Sequence, residues 1–216
     1  MGEEAWRDFP SWPPPGYAPR RYHLQPGGAL SVEPPPDGPA PDRYRYDPAD
    51  PTPAAGGARM VRDTGRVDNT ALEARPDVLT FTTGPLEASV EVIGEVSAEI
   101  WFRSTLPHAD VFVRLCDVDP RGRSRNVCDG LVRLTGADAV TRAAVRLWPT
   151  AHRFRRGHRI RVQVSSGAFP RYARNPGTGE PHATATRMLA AHQAVYHDPA
   201  HPSAIILPVR QAPARL

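Results

Sequence analysis

The sequence predicts an all-β chain, a jelly-roll-like β-sandwich preceded by an extended proline-rich segment. From about residue 78 onward the apolar residues recur with a period of two rather than 3.6, the signature of strands with one buried face. Turn residues interrupt these runs at short intervals, as several short strands require. The third observation is proline: 14 of the 26 fall within the first 53 residues, including Pro13-Pro14-Pro15 and Pro34-Pro35-Pro36. Such density forbids regular helix and removes ladder donors, so this part should run extended over something else. We therefore divide the chain into a proline-rich extended segment, residues 1–74, packing on a sandwich domain, residues 75–216. The second part is long enough, and rich enough in Val, Leu, Ile and Phe, to bury its own core.

The elements follow in order. "SAEIWFRS" (97–104) alternates, and "DVFVRLCDV" (110–118) sends Val111, Val113 and Leu115 one way and Phe112, Arg114 and Cys116 the other. "AAVRLWP" (143–149) reads similarly, and "HRIRVQVSS" (158–166) alternates Ile160, Val162 and Val164 with Arg159, Arg161 and Gln163. "SAIILPV" (203–209) is a short closing strand. Turn signals stand between them at Gly84-Pro85, Asp119-Pro120-Arg121-Gly122, Asp129-Gly130, Arg156-Gly157 and Pro176-Gly177. One segment, "ATRMLAAHQAVY" (185–196), fits a helix or a strand, because Asp198-Pro199 would stop either.

Composition narrows the function. No apolar run approaches the roughly 18 residues of a membrane span, and the start lacks the basic and apolar regions of a secretory signal. The expectation is a cytoplasmic protein with no membrane partner. Cys116 and Cys128 both sit in strand-like segments and read as reduced, partly buried thiols rather than a disulfide framework. All 27 basic residues are arginine, and they are unevenly placed. Residues 1–140 hold 15 arginines against 21 acids, whereas residues 141–216 hold 12 against only Glu180 and Asp198. Aromatics are not interleaved with the Arg153, Arg155, Arg156, Arg159 and Arg161 cluster, so it reads as a solvated face or an internal partner for the acidic part, not a nucleic-acid site.

Reactive motifs fail on their surroundings. Ser165-Ser166-Gly167 follows a strand, but Phe169-Pro170 disfavours the helix that a nucleophile elbow needs, and no G-x-S-x-G occurs. The serines are expected to cap a turn. Gly177 and Gly179 are too few for a phosphate cradle, whereas Asn175-Pro176-Gly177-Thr178 has the residues of a type II turn. His192, His197 and His201 are close in sequence, yet Pro199 and Pro202 break any helix that would align them and no Glu or Cys completes a zinc set. We expect no metal and no cofactor, with His197 and His201 holding a loop by donating to carbonyls. Trp6, Trp12, Trp101 and Trp148 are scattered.

Four blocks, read in order, resemble one family: "DVLTFTTGPLEASVEVIGEVSAEIWFRS" (77–104), "ADVFVRLCDVDPRGRSRNVCDGLVRL" (109–134), "FRRGHRIRVQVSSGAFPRYARNPGTG" (154–179) and "VYHDPAHPSAIILPV" (195–209). They are similar to the C-terminal domain of X-Pro dipeptidyl-peptidase and cocaine esterase type (CocE/NonD) serine hydrolases, a galactose-binding-like jelly roll. "WRDFPSWPPPG", "YHL" and "YRYDPADPTPAAGG" resemble the segment that joins the family's catalytic domain to this sandwich. The resemblance implies ester or amide hydrolysis by the complete enzyme, through a Ser-Asp-His triad that precedes the matched region. It implies no catalytic residue in this chain, and a partner in the α/β-hydrolase catalytic domain, either upstream or on a separate chain. Met1 then reads as an internal methionine. It also implies that the loop after Gly56-Gly57 reaches toward the acyl pocket, with Met60 and Val61 at positions where related esterases carry Leu and Phe. A buried loop anchor is the alternative for that pair. An independent β-sandwich binding module for carbohydrate or protein, and homo-oligomers through an open edge strand, are the other expectations.

Overall fold

In the computed structural model, residues 1–3, 5–60 and 64–211 are described. The alternating segments form one branched sheet of 14 strands. In chain order they are β1 (Tyr17–Gln25), β2 (Ala29–Ser31), β3 (Asp42–Tyr46), β4 (Leu79–Thr82), β5 (Val90–Gly94), β6 (Ser97–Ser104) and β7 (Ala109–Val118). There follow β8 (Ser124–Leu134), β9 (Thr141–Arg146), β10 (Thr150–Phe154), β11 (Arg159–Ser165), β12 (Ala191–Asp198), β13 (His201–Pro202) and β14 (Ala204–Arg210). Helix among the described residues is limited to one turn, α1 (Thr70–Glu73), and a 3-10 turn at Pro26–Gly28. The chain is all-β.

Two antiparallel ladders organise the sheet. One runs β4–β11–β7–β8. In the other, β6 pairs with β9 on one edge and with β14 and β12 on the other. β14 continues to β1 and reaches β5, which carries β10, while β12 continues to β3. The end of β1 turns into β2, and one parallel bridge, Ala29↔Thr82, joins the ladders. Val113, Leu115, Val162 and Phe81 from the first ladder then share a core with Ile100, Phe102, Ile205 and Leu207 from the second. Each such burial is worth about 1.5–3 kcal/mol. Tyr22, Leu24, Leu30, Tyr44 and Tyr46, from the proline-rich segment, lie in the same core. Prolines enter the ladder without loss where Pro19 faces Pro208, since neither strand needs a donor from its partner there.

The structure settles three sequence readings. Residues 191–198 are strand, because β3 and β6 occupy both edges of β12; Gln193 faces Tyr44 on one side and Ser104 on the other. Asp129-Gly130 is not a turn but lies within β8. Glycine is needed there for close approach: a Cβ at Gly130 would stand 2.0 Å from the Arg146 carbonyl oxygen. The expected one-sided strand at 110–118 is buried on both faces along all of β7. Its outer face, with Phe112, Arg114 and Cys116, is covered by residues around Asn69 and Tyr172.

Candidate functional site

The covered outer face of β7 and β8 is polar. Arg114, fully buried on β7, lies opposite Asp129 on β8, and its Nε and Nη2 donate to Asp129 Oδ2 at 3.3 and 3.1 Å. Its Nη1 donates to Asn69 Oδ1 at 2.7 Å, and Arg171 donates to the other Asp129 oxygen at 2.5 Å. Next to them Asn126 accepts from Val67 N at 2.9 Å and donates to the Gly65 carbonyl at 2.8 Å. Glu73, at the end of α1, accepts from Ser124, Gln163 and Arg161. Charges in a dry environment persist only when paired and hydrogen-bonded in this way.

This platform carries a loop. Gly57 and Gly65 exchange two backbone hydrogen bonds of 2.7 and 2.9 Å, closing a neck. Gly56 and Gly57 both adopt positive φ, +60° and +80°, and the neck lies directly on the platform. Met60, beyond the neck, is fully exposed at 103%. It is therefore not a buried anchor. Val61 lies outside the described residues.

Beside the neck runs a groove of about 950 Å³, walled by residues 1–3 and 5–12 on one side and by β5, β8 and β10 on the other. Trp6, Phe9, Trp12 and Trp148 line it and are all exposed, so its wall is aromatic. Gly2 and Glu3 are tied down by polar contacts: Arg155 donates to the Gly2 carbonyl at 3.0 and 2.6 Å, and Arg153 reaches Glu3 at 2.8 Å. Glu91 receives Arg7 at 2.9 Å and also pairs with Arg210 and the Tyr17 hydroxyl. Burial and the bond to Glu91 push the Tyr17 hydroxyl up to about 12.

Behind the groove Asp117 accepts from His152 Nε2 at 2.9 Å, His158 Nδ1 at 2.7 Å and Arg66 Nη2 at 3.2 Å. Burial raises the Asp117 carboxyl, but the two histidine hydrogen bonds outweigh it and hold the group below its ordinary value. Burial lowers the His152 imidazole further than its bond to Asp117 raises it. Because a carboxylate only accepts, His152 carries its proton on Nε2, leaving a buried Nδ1 with no hydrogen-bond partner.

A family model described as the X-Pro dipeptidyl-peptidase C-terminal non-catalytic domain matches residues 1–206. The chain belongs to this family. Cocaine esterase of Rhodococcus sp. (strain MB1 Bresler) is 37% identical over 97% of this chain and 40% of its own length. The solved structure of an alpha-amino acid ester hydrolase superposes with a TM-score of 0.87 at 29% identity, over 97% of this chain and 40% of that one. An aminopeptidase from the marine sediment archaeon Thaumarchaeota archaeon gives 0.87 at 28%, over 98% and 40%. The chain thus spans about 40% of the length of the relatives it matches.

In this X-Pro dipeptidyl-peptidase C-terminal-type domain, the sequence-flagged residues take structural places. Ser165 Oγ donates to the Gly167 carbonyl at 3.2 Å, capping a turn, while Ser166 Oγ bonds the Tyr44 hydroxyl at 2.8 Å in full burial. Asn175 Oδ1 accepts from Gly177 N at 3.0 Å, with Gly177 at φ +76° as a type II turn needs. His197 and His201 do not hold a loop through carbonyls: they face the carboxylates of Asp42 and Asp198, at 3.0 and 3.2 Å. Asp42 opens β3, where it faces Val195 of β12, and Asp198 closes β12 itself, so one of the two acids reaches its histidine only through strand pairing. Cys116 and Cys128 are fully within the fold and unpaired. Across the β7–β8 irregularity Cys128 faces Leu115 and Cys116 faces Asn126, and the two thiols point to opposite faces, Cys128 into the core and Cys116 toward Gln163. Of the four tryptophans, three gather at the groove, and Trp101 stands apart beside His201. Sequence reasoning missed Arg114, Asp129, Asn126 and Arg171. The one available signal was a charged residue, Arg114, inside an apolar strand.

Proposed function

We propose that this chain is a non-catalytic, jelly-roll-like accessory domain that docks onto an α/β-hydrolase catalytic domain, forming part of an ester- or amide-cleaving serine hydrolase. The catalytic domain supplies the Ser-Asp-His triad, from the same polypeptide or a separate one. The observation that carries the reading is an exposed aromatic groove continuous with the loop that presents Met60. Monomeric proteins rarely leave such apolar surface uncovered, and a face of this kind marks an interaction site. In the assembled enzyme Met60, with Val61, supplies apolar contacts to the acyl pocket. The two unpaired buried thiols support a reducing, cytoplasmic setting.

The test has two parts. Purified alone, the chain should hydrolyse p-nitrophenyl acetate no faster than background; turnover abolished by a serine-directed reagent sinks the reading. Fused in place of the matched portion of the Rhodococcus cocaine esterase, it should restore the ester hydrolysis that the remaining portion lacks. A second reading, an independent glycan-binding module, is favoured by the gathering of Trp6, Trp12 and Trp148, since aromatic faces stack on sugar rings. A glycan array without hits removes it.

A further inference from the structure

We infer that the hollow between Gly2 and the β10–β11 loop is a binding site for a phosphate group, free or carried as a phosphomonoester. It is a separate site from the aromatic groove and does not rest on the docking reading above. The sequence leaves the cluster from Arg153 to Arg161 as either a solvated face or a partner for acids, and the structure divides it. Arg153 and Arg161 find Glu3 and Glu73. Arg155, Arg156 and Arg159 are exposed and are exceptions to this pairing, with no ion pair among the described residues. Two of these exceptions, Arg155 and Arg156, join Arg153 around a hollow of about 380 Å³ whose other lining is Gly2, Glu3 and Ser89. Glu3 is the one carboxylate in that lining, and it is shared between Arg153 and Arg7. Glu87, on the turn that carries Ser89, forms no ion pair with the three arginines. Three like charges around one hollow repel one another, and no described acid cancels the excess.

The donors are held in place. Arg155 Nε and Nη2 are fixed on the Gly2 carbonyl at 3.0 and 2.6 Å, which leaves its Nη1 without a partner. Arg153 is fixed through Nη1 on Glu3 at 2.8 Å. The Arg156 backbone N–H donates to Ser89 Oγ at 3.2 Å, while the Arg156 guanidinium bonds no described residue. Ser89 Oγ accepts in that contact, so its proton is still available to donate. Gly2 lets the chain lie close enough to form the wall: a Cβ there would stand 2.3 Å from the Arg153 carbonyl oxygen. Guanidinium forks present paired N–H groups that match the oxygens of phosphate, and donors here approach from three side chains and a hydroxyl. Chloride, a sphere of single charge, gains no such pairing.

The experiment titrates the intact chain with inorganic phosphate at constant ionic strength and reads amide chemical shifts. Saturable shifts should be confined to the amides around Gly2, Ser89 and Arg156, and chloride should give none. Arg156→Ala, which removes no side-chain contact of the fold, should weaken binding about tenfold, the factor for one charged hydrogen bond. Arg121→Ala is the control. It deletes the same charge from the turn whose Pro120 Cγ lies 3.9 Å from where a Gly157 Cβ would stand, and Arg121 does not line the hollow. It should change the affinity by less than about twofold, as a screened exposed charge does. Equal weakening by the two variants means a diffuse positive field and overturns the site, and so do shifts that never saturate. Vesicles of phosphatidylcholine, with and without phosphatidic acid, separate the sources. Sedimentation with phosphatidic acid that is lost in Arg156→Ala identifies a lipid phosphomonoester, and saturable phosphate binding without it identifies a soluble one. Binding to neither overturns the assignment.

Discussion

Asp129 stands between two guanidiniums, 2% exposed, and removing its charge leaves Arg114 and Arg171 facing each other without an anion. Asp129→Ala should therefore cost about 3–5 kcal/mol, the penalty of an uncompensated buried charge, measured by urea unfolding. By contrast Arg146–Glu95, exposed at 85% and 65%, should be silent when either side is truncated. His152 makes the acid dependence calculable in sign. Its folded pKa lies below the ordinary 6.5, so as pH falls below about 6.5 the unfolded chain takes up a proton that the fold refuses. Stability then falls with pH until the depressed folded value is reached. Asp117 adds a second loss at lower pH, below its ordinary 3.8, as its own lowered folded value is crossed. His152→Phe should lower stability at pH 7 and flatten the slope of the urea midpoint between pH 7 and 5. Some slope will remain, because burial and Arg21 also lower His23. An undiminished slope would mean that His152 is not the group responsible.

Elements were legible where one face was apolar and the other was not. Ile160, Val162 and Val164 alternate into the core as their spacing required, and "SAIILPV" became β14. Legibility failed where pairing outside the segment decided the outcome. Nothing inside "ATRMLAAHQAVY" says that β3 and β6 wait on either side of it, and its alanines lean locally toward helix, a weak preference that pairing on both edges overrides. The same limit explains Gly130. Asp-Gly is a turn signal in isolation, but the local sequence does not show that the backbone after β9 crosses over it, where Trp148 N donates to the Asp129 carbonyl at 3.1 Å. Gly130→Ala tests that crossing. Its φ is ordinary, so no backbone strain is introduced, and any cost comes from forcing β8 away from the Arg146 carbonyl. Overpacking of this kind should cost about 1–3 kcal/mol, seen as a lowered urea midpoint with an unchanged m-value. A neutral substitution would mean the two backbones are not in contact.

At the scale of the whole molecule, the charge division of the sequence is neutralised internally. Arginines after residue 140 pair with acids before it: Arg142 with Glu99, Arg153 with Glu3, Arg161 with Glu73, Arg171 with Asp129 and Arg210 with Glu91. The platform and the groove are products of this long-range closure, which is why scattered tryptophans gave no warning of the groove and Arg114 alone signalled the platform. The same closure bears on the division at residue 74. β1 pairs with β14 over seven residues, and Tyr22, Leu24, Leu30, Tyr44 and Tyr46 sit in the common core. Deleting residues 1–46 would strip those side chains and leave β14 and β12 each without a neighbour. That truncation should give no cooperative unfolding transition and no dispersed amide spectrum. Deleting only residues 1–12 removes one wall of the groove and surface contacts such as Arg153–Glu3, and none of the core. It should fold cooperatively, with a modestly lowered melting temperature. If residues 47–216 instead melt in a single sharp transition, the proline-rich segment is an addition to the sandwich rather than part of it.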